Sequence, residues 1–390
     1  MVVAVALALT LVSGAPGDVQ LDASVATLGR TRTLLPSSGP STTIAEAMVM
    51  PRVAAGAAWP DVSAGVSYQP VLSAPDLTTS KTMEVLHVVE ARSQLRLDGP
   101  WRLSGLATGS RGTTDLLAES RRSPADLKTL TTTGTLRYRT ARGELRLEGA
   151  LDPRTSVAAA AGWFLDGGED APSRALLPVQ RGATAEGTLR WRATPLDRLD
   201  GRLAGMRADL LQRTTYLVEA TETWRRHLAR TRDVWLGGGV VGADTQDPSA
   251  RRTRAYPAVE LGFSDADPAR RVALQLVART GAVIDRATGE AAPQLEAVGS
   301  ARWRLATAWA LSTRAAAADS RLSAGDVRRL SAESRLDWAA TRSVMLGAGL
   351  FLDWQLATAP GLPSVREGGV FVAAFADVTG HHPVRDGPAP

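Results

Sequence analysis

At 390 residues, with a formal net charge of +5 and no cysteine, the chain is long enough for one large barrel or two ordinary domains and has neither disulfides nor thiolate metal sites. Hydrophobic residues make up 44%, yet beyond the N-terminus no run approaches the ~20 consecutive apolar residues of a membrane helix. Apart from Lys81 and Lys128 the cations are arginines, spread along the chain rather than gathered in one patch, which argues against a nucleic-acid interface.

The chain opens on Val2–Val12 (VVAVALALTLV), followed by Ser13-Gly14-Ala15. A short apolar core before small residues is the pattern of a signal peptide, so residues 1–15 are expected to be removed. Residues 16–380 are then the folded body and 381–390 a polar tail. A first strand is expected near 18–30, and the alternation is explicit further on. Met83, Val85, Val89, Ala91, Leu95 and Leu97 alternate with Glu84, Glu90, Arg92, Gln94, Arg96 and Asp98. Leu136 and Tyr138 sit between Arg137 and Arg139, then the parity changes before Leu145. A β-bulge at Ala141-Arg142-Gly143 would absorb the change; a ninth turn there is the alternative, and the bulge keeps the strand count even.

Leu189 and Trp191 alternate with Arg190 and Arg192; Leu295, Ala297, Ala301, Trp303 and Leu305 alternate with Glu296, Ser300, Arg302 and Arg304. From Leu330 to Trp338 the even positions are mostly apolar and the odd ones polar, and Val344–Trp354 resumes the pattern. Such runs reach the ~9–11 residues that a tilted membrane strand needs, with one face in lipid and one in water. Tight turns recur at 59–61, 98–100, 152–155, 194–198, 229–232, 265–270, 306–308 and 340–342. Longer polar connections fall near 31–43, 73–80, 112–127, 166–181, 245–252, 284–290, 320–327 and 357–366. That asymmetry predicts an all-β fold: a transmembrane antiparallel up-and-down barrel of about 18 strands (16–18), turns periplasmic and loops extracellular, in a bacterial outer membrane.

The tryptophans agree. Trp59, Trp101, Trp191, Trp224, Trp235, Trp303, Trp309 and Trp338 all lie within five residues of a proposed turn, as a membrane girdle in contact with outer-membrane lipids would. Trp163 and Trp354 fall further along their strands, at the level of the opposite girdle.

No catalytic constellation stands out, and the chain is read as not an enzyme. Of the four histidines, His87 falls on or near the lipid face, His227 precedes a turn, and His381-His382 have only Asp386 nearby, too few ligands for a metal. No phosphate-binding loop is present, and no cofactor is expected. By parity Arg92, Arg96, Arg102, Arg137, Arg139, Arg190, Arg192, Arg302, Arg304, Arg314, Arg329 and Arg335 project into the lumen. They outnumber the acids assigned to the same face, and rings of arginine favour anion passage.

The hairpin phrases TLRYRTARGELRLEGALDPRTSVAAAAGWF and RLDWAATRSVMLGAGLFLDW resemble the outer-membrane barrels of bacterial exopolysaccharide export, including the alginate-export porin and the myxobacterial polysaccharide porins. The resemblance implies a pore for polar, anionic cargo, a secreted polysaccharide, working with a periplasmic export protein. A general small-solute porin and a plugged structural or adhesin-type barrel are the alternatives. A long loop folding inward would mark a selective porin, and no connection clearly exceeds about 16 residues. The chain departs from the common outer-membrane pattern at its end: Phe371 and Phe375 lie on the last strand, and the polar tail Thr379–Pro390 follows.

Overall fold

A computed structural model of the chain describes residues 18–36, 41–74, 77, 83–115, 135–266, 271–322, 325–358 and 364–377. The expected signal peptide, 1–15, and the tail, 381–390, lie outside the described residues. The first strands are β1 (Asp18–Pro36), β2 (Thr42–Ala58), β3 (Val62–Ala74), β4 (Glu84–Arg96), β5 (Arg102–Asp115) and β6 (Thr135–Ala150). Next come β7 (Thr155–Gly168), β8 (Gln180–Arg192), β9 (Asp197–Leu210), β10 (Arg213–Ala229), β11 (Arg232–Gln246) and β12 (Arg251–Asp265). The ring is completed by β13 (Val272–Ile284), β14 (Ala291–Arg304), β15 (Trp309–Leu322), β16 (Gly325–Ala339), β17 (Val344–Ala357) and β18 (Val365–Asp377). A short helix, α1 (Ala171–Leu176), lies between β7 and β8.

Each strand pairs antiparallel with its neighbours in sequence, and β1 closes on β18 through Ser24↔Asp377 to Pro36↔Val365. The result is a closed 18-stranded up-and-down barrel with no free edge, the one sheet that can satisfy its backbone in hydrocarbon. The eight short connections lie at one end and the remaining connections at the other. One of the latter, Leu211-Gln212, carries no glycine, proline or asparagine and went unpredicted; Leu211 takes a positive φ of 58° there.

One expectation about the wall is corrected. β6 runs in unbroken register with β5 and with β7, so there is neither a bulge nor a turn at Ala141–Gly143. The register does shift on β10, between His227 and Ala229. The sequence parity changes within β6 because apolar residues change sides. Leu136 and Tyr138 point inward and are buried with Val71, Leu86 and Leu177, while Leu145 and Leu147 point outward and are exposed.

Proline thins the ladder in two places. Pro51 on β2 and Pro70 on β3 lack N–H donors, and the β2–β3 register is interrupted between Val49↔Leu72 and Val53↔Tyr68. Pro257 lies where the β12–β13 ladder stops: these strands pair only over Val259–Asp265 with Leu274–Thr280. Thr280 closes that end with its side chain, its hydroxyl accepting from Val259 N–H at 3.0 Å and donating to the Pro257 carbonyl at 3.1 Å.

Candidate functional site

The two faces of the wall can be told apart because side chains can be buried only on the concave side. On β17, Phe351, Asp353 and Gln355 are buried while Leu350, Leu352, Trp354 and Leu356 between them are exposed. The register carries this assignment around the ring. The outer face bears Trp191, Trp224, Trp303, Trp309 and Trp338 toward the short turns, with Trp309 and Trp338 stacked at 5.8 Å. The Trp101 ring lies over outward-facing Gly149, where a Cβ would meet ring carbons at 2.5 Å. Trp59 sits in the first turn, and Trp163 and Trp354 are exposed further up the wall. Trp235 is the exception: it faces inward and is 6% exposed. Its Nε1 donates to Glu260 at 2.6 Å, the Arg225 guanidinium lies 4.8 Å from its ring, and the close approach of the ring requires glycine at Gly262. It is therefore not part of the girdle.

Inside, the arginines fall into two groups. Toward the short turns the inner face carries Arg96, Arg190, Arg192, Arg302 and Arg304, all exposed, with no carboxylate in salt-bridge reach among the described residues. Their neighbours are partly neutralised: Arg92 lies 2.5 Å from Glu90, Arg102 lies 4.0 Å from Glu148, and Arg198 lies 2.7 Å from Asp200. Arg314 stands opposite Glu333 in register. Arg335 lies 2.5 Å from Asp337.

Toward the loops the inner charges are buried in pairs. Arg30 lies 2.5 Å from Glu46, Arg32 lies 3.7 Å from Glu46 and 3.6 Å from Glu367, and Arg329 lies 3.7 Å from Asp353. Sequence reasoning missed Arg30 and Arg32, although Arg30-Thr31-Arg32-Thr33 already alternates. It also placed Arg137 and Arg139 in the lumen. Both face outward, because the neighbours that alternate with them, Leu136 and Tyr138, fill the inner apolar cluster.

Two of the connections at this end fold inward. Asp170 caps α1, its Oδ1 accepting from Ser173 N–H at 2.9 Å, and delivers Leu177 into the cluster with Tyr138. The turn 285–290 is held by Asp285, which accepts from Ala287 N–H at 2.9 Å and from the Thr288 hydroxyl at 2.7 Å. Arg213 donates to the Thr288 carbonyl at 2.7 Å, Arg252 to Glu290 at 2.7 Å, and Thr215 to the Gly289 carbonyl at 2.6 Å. From its tip Arg286 crosses the lumen to an ion pair with Asp166 on β7. The segment that enters the lumen here is thus a connection of a few residues rather than a long loop.

Of the histidines, His87 faces outward and bonds the Tyr68 hydroxyl through Nδ1 at 2.7 Å, and His227 pairs with Asp233 inside. His381-His382 lie outside the described residues.

The sequence matches no protein-family model and no curated protein. Solved structures do match in shape. OccK2 (OpdF) of Pseudomonas aeruginosa superposes with a TM-score of 0.51 at 14% identity, covering 92% of this chain and 98% of that one. The siderophore receptor PiuA from Acinetobacter baumannii gives 0.51 at 7% identity, covering 93% and 82%. The outer membrane protein OpdK from Pseudomonas aeruginosa gives 0.50 at 9%, covering 92% and 99%. At such identities the likeness is one of fold, and with the aromatic girdle and the apolar outer wall it makes this chain an 18-stranded β-barrel of the bacterial outer membrane.

Proposed function

We propose that the barrel is a channel that draws small polar anions through its arginine-lined lumen. One observation carries the reading: Arg96, Arg190, Arg192, Arg302 and Arg304 are exposed on the inner wall near the short-turn mouth without carboxylate partners among the described residues. Unpaired cations in a confined aqueous path focus a positive field and raise the local anion concentration. The buried pairs near the loops contribute little to that field, because each arginine there is matched at short range. The inward turn at 285–290 narrows the path and suits small cargo.

Export of a secreted anionic polysaccharide is the second reading, since arginines recur along the wall at sites a polyanion could occupy in sequence. It requires the Arg286–Asp166 pair to part.

Planar-bilayer recording tests the first reading. Reversing Arg190, Arg192, Arg302 and Arg304 to Glu should move the reversal potential from anion toward cation selectivity while the barrel still inserts, because lumen substitutions tune selectivity more than stability. Unchanged selectivity in a conducting barrel would remove these residues from the path. Absence of conductance even after Arg286→Ala would favour a closed, structural barrel.

A further inference from the structure

The outer wall is not uniform at its loop end. On β11, β12, β15 and β16 outward arginines there have carboxylates beside them: Arg251 lies 2.9 Å from Asp244, and Arg328 lies 3.5 Å from Asp319. Along β5 to β9 arginine is in excess. Arg111, Arg137 and Arg139 face outward on β5 and β6, and Arg181 and Arg207 on β8 and β9. Arg111 and Arg139 are direct cross-strand partners, a like-charge pairing that weakens a sheet unless something else neutralises it.

Among the described residues the acids at hand do not match them. Arg111 donates to Glu169 at 2.8 Å, Arg137 is 3.8 Å from Asp170, and Asp209 is shared between Arg181 at 3.8 Å and Arg207 at 3.3 Å. Arg139 has no carboxylate within salt-bridge reach, and its shielded Nε has no hydrogen-bond partner among the described residues. The hydrogen bond from Arg111 and the nearby arginine charges hold the Glu169 carboxyl below its usual range, so Glu169 is ionised and still leaves the cluster in surplus. Arg111 and Arg137 side chains are 75% and 68% exposed.

Their height on the wall identifies what they face. From Gly149, under the Trp101 ring of the short-turn girdle, to Arg139 is ten residues along β6. At ~3.3 Å per residue and a tilt near 40° that is a rise of about 25 Å, the full height of the apolar band. These arginines therefore stand where lipid headgroups begin.

We propose that the outer face of β5 and β6 at its loop end, centred on Arg111, Arg137 and Arg139, is a docking surface for a phosphorylated lipid headgroup of the outer leaflet. Guanidinium groups bind phosphate through paired, charge-assisted hydrogen bonds, and adjacent arginines on neighbouring strands offer several such forks to one headgroup. A bound phosphate also removes the repulsion between Arg111 and Arg139. The surface lies outside the wall and is independent of what crosses the lumen.

Native mass spectrometry of the detergent-purified barrel with bis-phosphorylated lipid A, its dephosphorylated form and inorganic phosphate tests this. Phosphorylated lipid A should bind stoichiometrically. The triple change Arg111→Ala, Arg137→Ala, Arg139→Ala should weaken it by at least about tenfold, while Arg328→Ala on the opposite arc leaves it unchanged. Unaltered bilayer conductance of the triple variant verifies its fold; should it fail to fold, Arg139→Ala alone carries the same readout. Equal binding of the dephosphorylated lipid, or undiminished binding to the variant, would overturn the proposal. Saturation by inorganic phosphate at the same concentration as the lipid would overturn the lipid assignment and leave a free-anion site.

Discussion

Near the loops, Arg30, Arg32 and Arg329 are almost fully buried and each has a carboxylate beside it; near the short turns, Arg190, Arg192, Arg302 and Arg304 are exposed and have none among the described residues. The same residue type does two jobs in one lumen. Where water is excluded a guanidinium is tolerable only if paired, and it then holds neighbouring strands in register. Where water enters it can stand alone, and its field is available to solutes. The difference shows that the number of lumen arginines says little about selectivity until each is placed by depth.

Removing one member of a buried pair should give the largest effect. Glu46→Gln leaves Arg30 without its nearest partner and should destabilise the barrel by ~3–5 kcal/mol. Arg302→Gln should stay within ~0.5 kcal/mol, as a solvated side chain with no partner to strand. Denaturant unfolding in lipid vesicles measures both, and a comparable loss at Arg302 would dissolve the distinction between the two halves.

The contrast sharpens across the wall. Leu350, exposed on the outer face of β17, should cost ~2–4 kcal/mol when changed to Arg, since the charge enters the apolar band. Gln275→Arg, on the inner face of β13 opposite Ser300, should cost far less by the same assay. Equal costs would mean that the faces are assigned wrongly.

The smallest effect concerns the turns, where the two ends are alike. Asp152 at the short-turn end accepts backbone hydrogen bonds from Arg154 and Thr155, and Asp247 at the loop end accepts from Ser249 and Ala250. Both carboxyls are held below their usual range, Asp152 chiefly by the Arg154 N–H and Asp247 by the Ser249 hydroxyl. A depressed folded value stabilises the turn fully above the unfolded value of about 3.9 and is lost as the pH falls through the folded one. The melting temperature of Asp247→Ala should therefore lie slightly below that of the parent at neutral pH, and the gap should close in acid. A gap that persists at low pH would show that the ionised carboxylate is not what holds the turn.

Strand number and the eight short turns were legible in the sequence because the wall is a period-two pattern interrupted by short polar turns, whereas Leu211-Gln212, with no turn-forming residue, was not. What the pattern reports is polarity, and polarity identifies a face only where one side is lipid. At the loop end of β6 the rule inverts: Leu136 and Tyr138 turn inward to meet Leu177, and Arg137 and Arg139 turn outward. Parity alone therefore put two arginines on the wrong side and invoked a bulge that is absent. Trp235 misled for a related reason, since position near a turn says nothing about direction, and Glu260 with Arg225 gives its indole polar company inside. The inward turn at 285–290 was unreadable because its anchors, Arg213, Thr215, Arg252 and Asp166, are distant in sequence.

The interrupted ladder between β12 and β13 has a mechanical consequence. In a closed ring each strand is clasped on both sides, and parting an ordinary pair forfeits a whole run of backbone hydrogen bonds. Above Val259 that clasp is replaced by a few side chains: the Thr280 hydroxyl, Tyr256 reaching the Ala291 carbonyl at 2.9 Å, and Arg252 on Glu290. Glu290 is also an anchor of the inward turn, through Arg213 at 3.1 Å. Releasing that one carboxylate loosens the obstruction in the lumen and the seam in the wall together. The inward turn and the seam thus share one anchor, and a change at Glu290 reaches both.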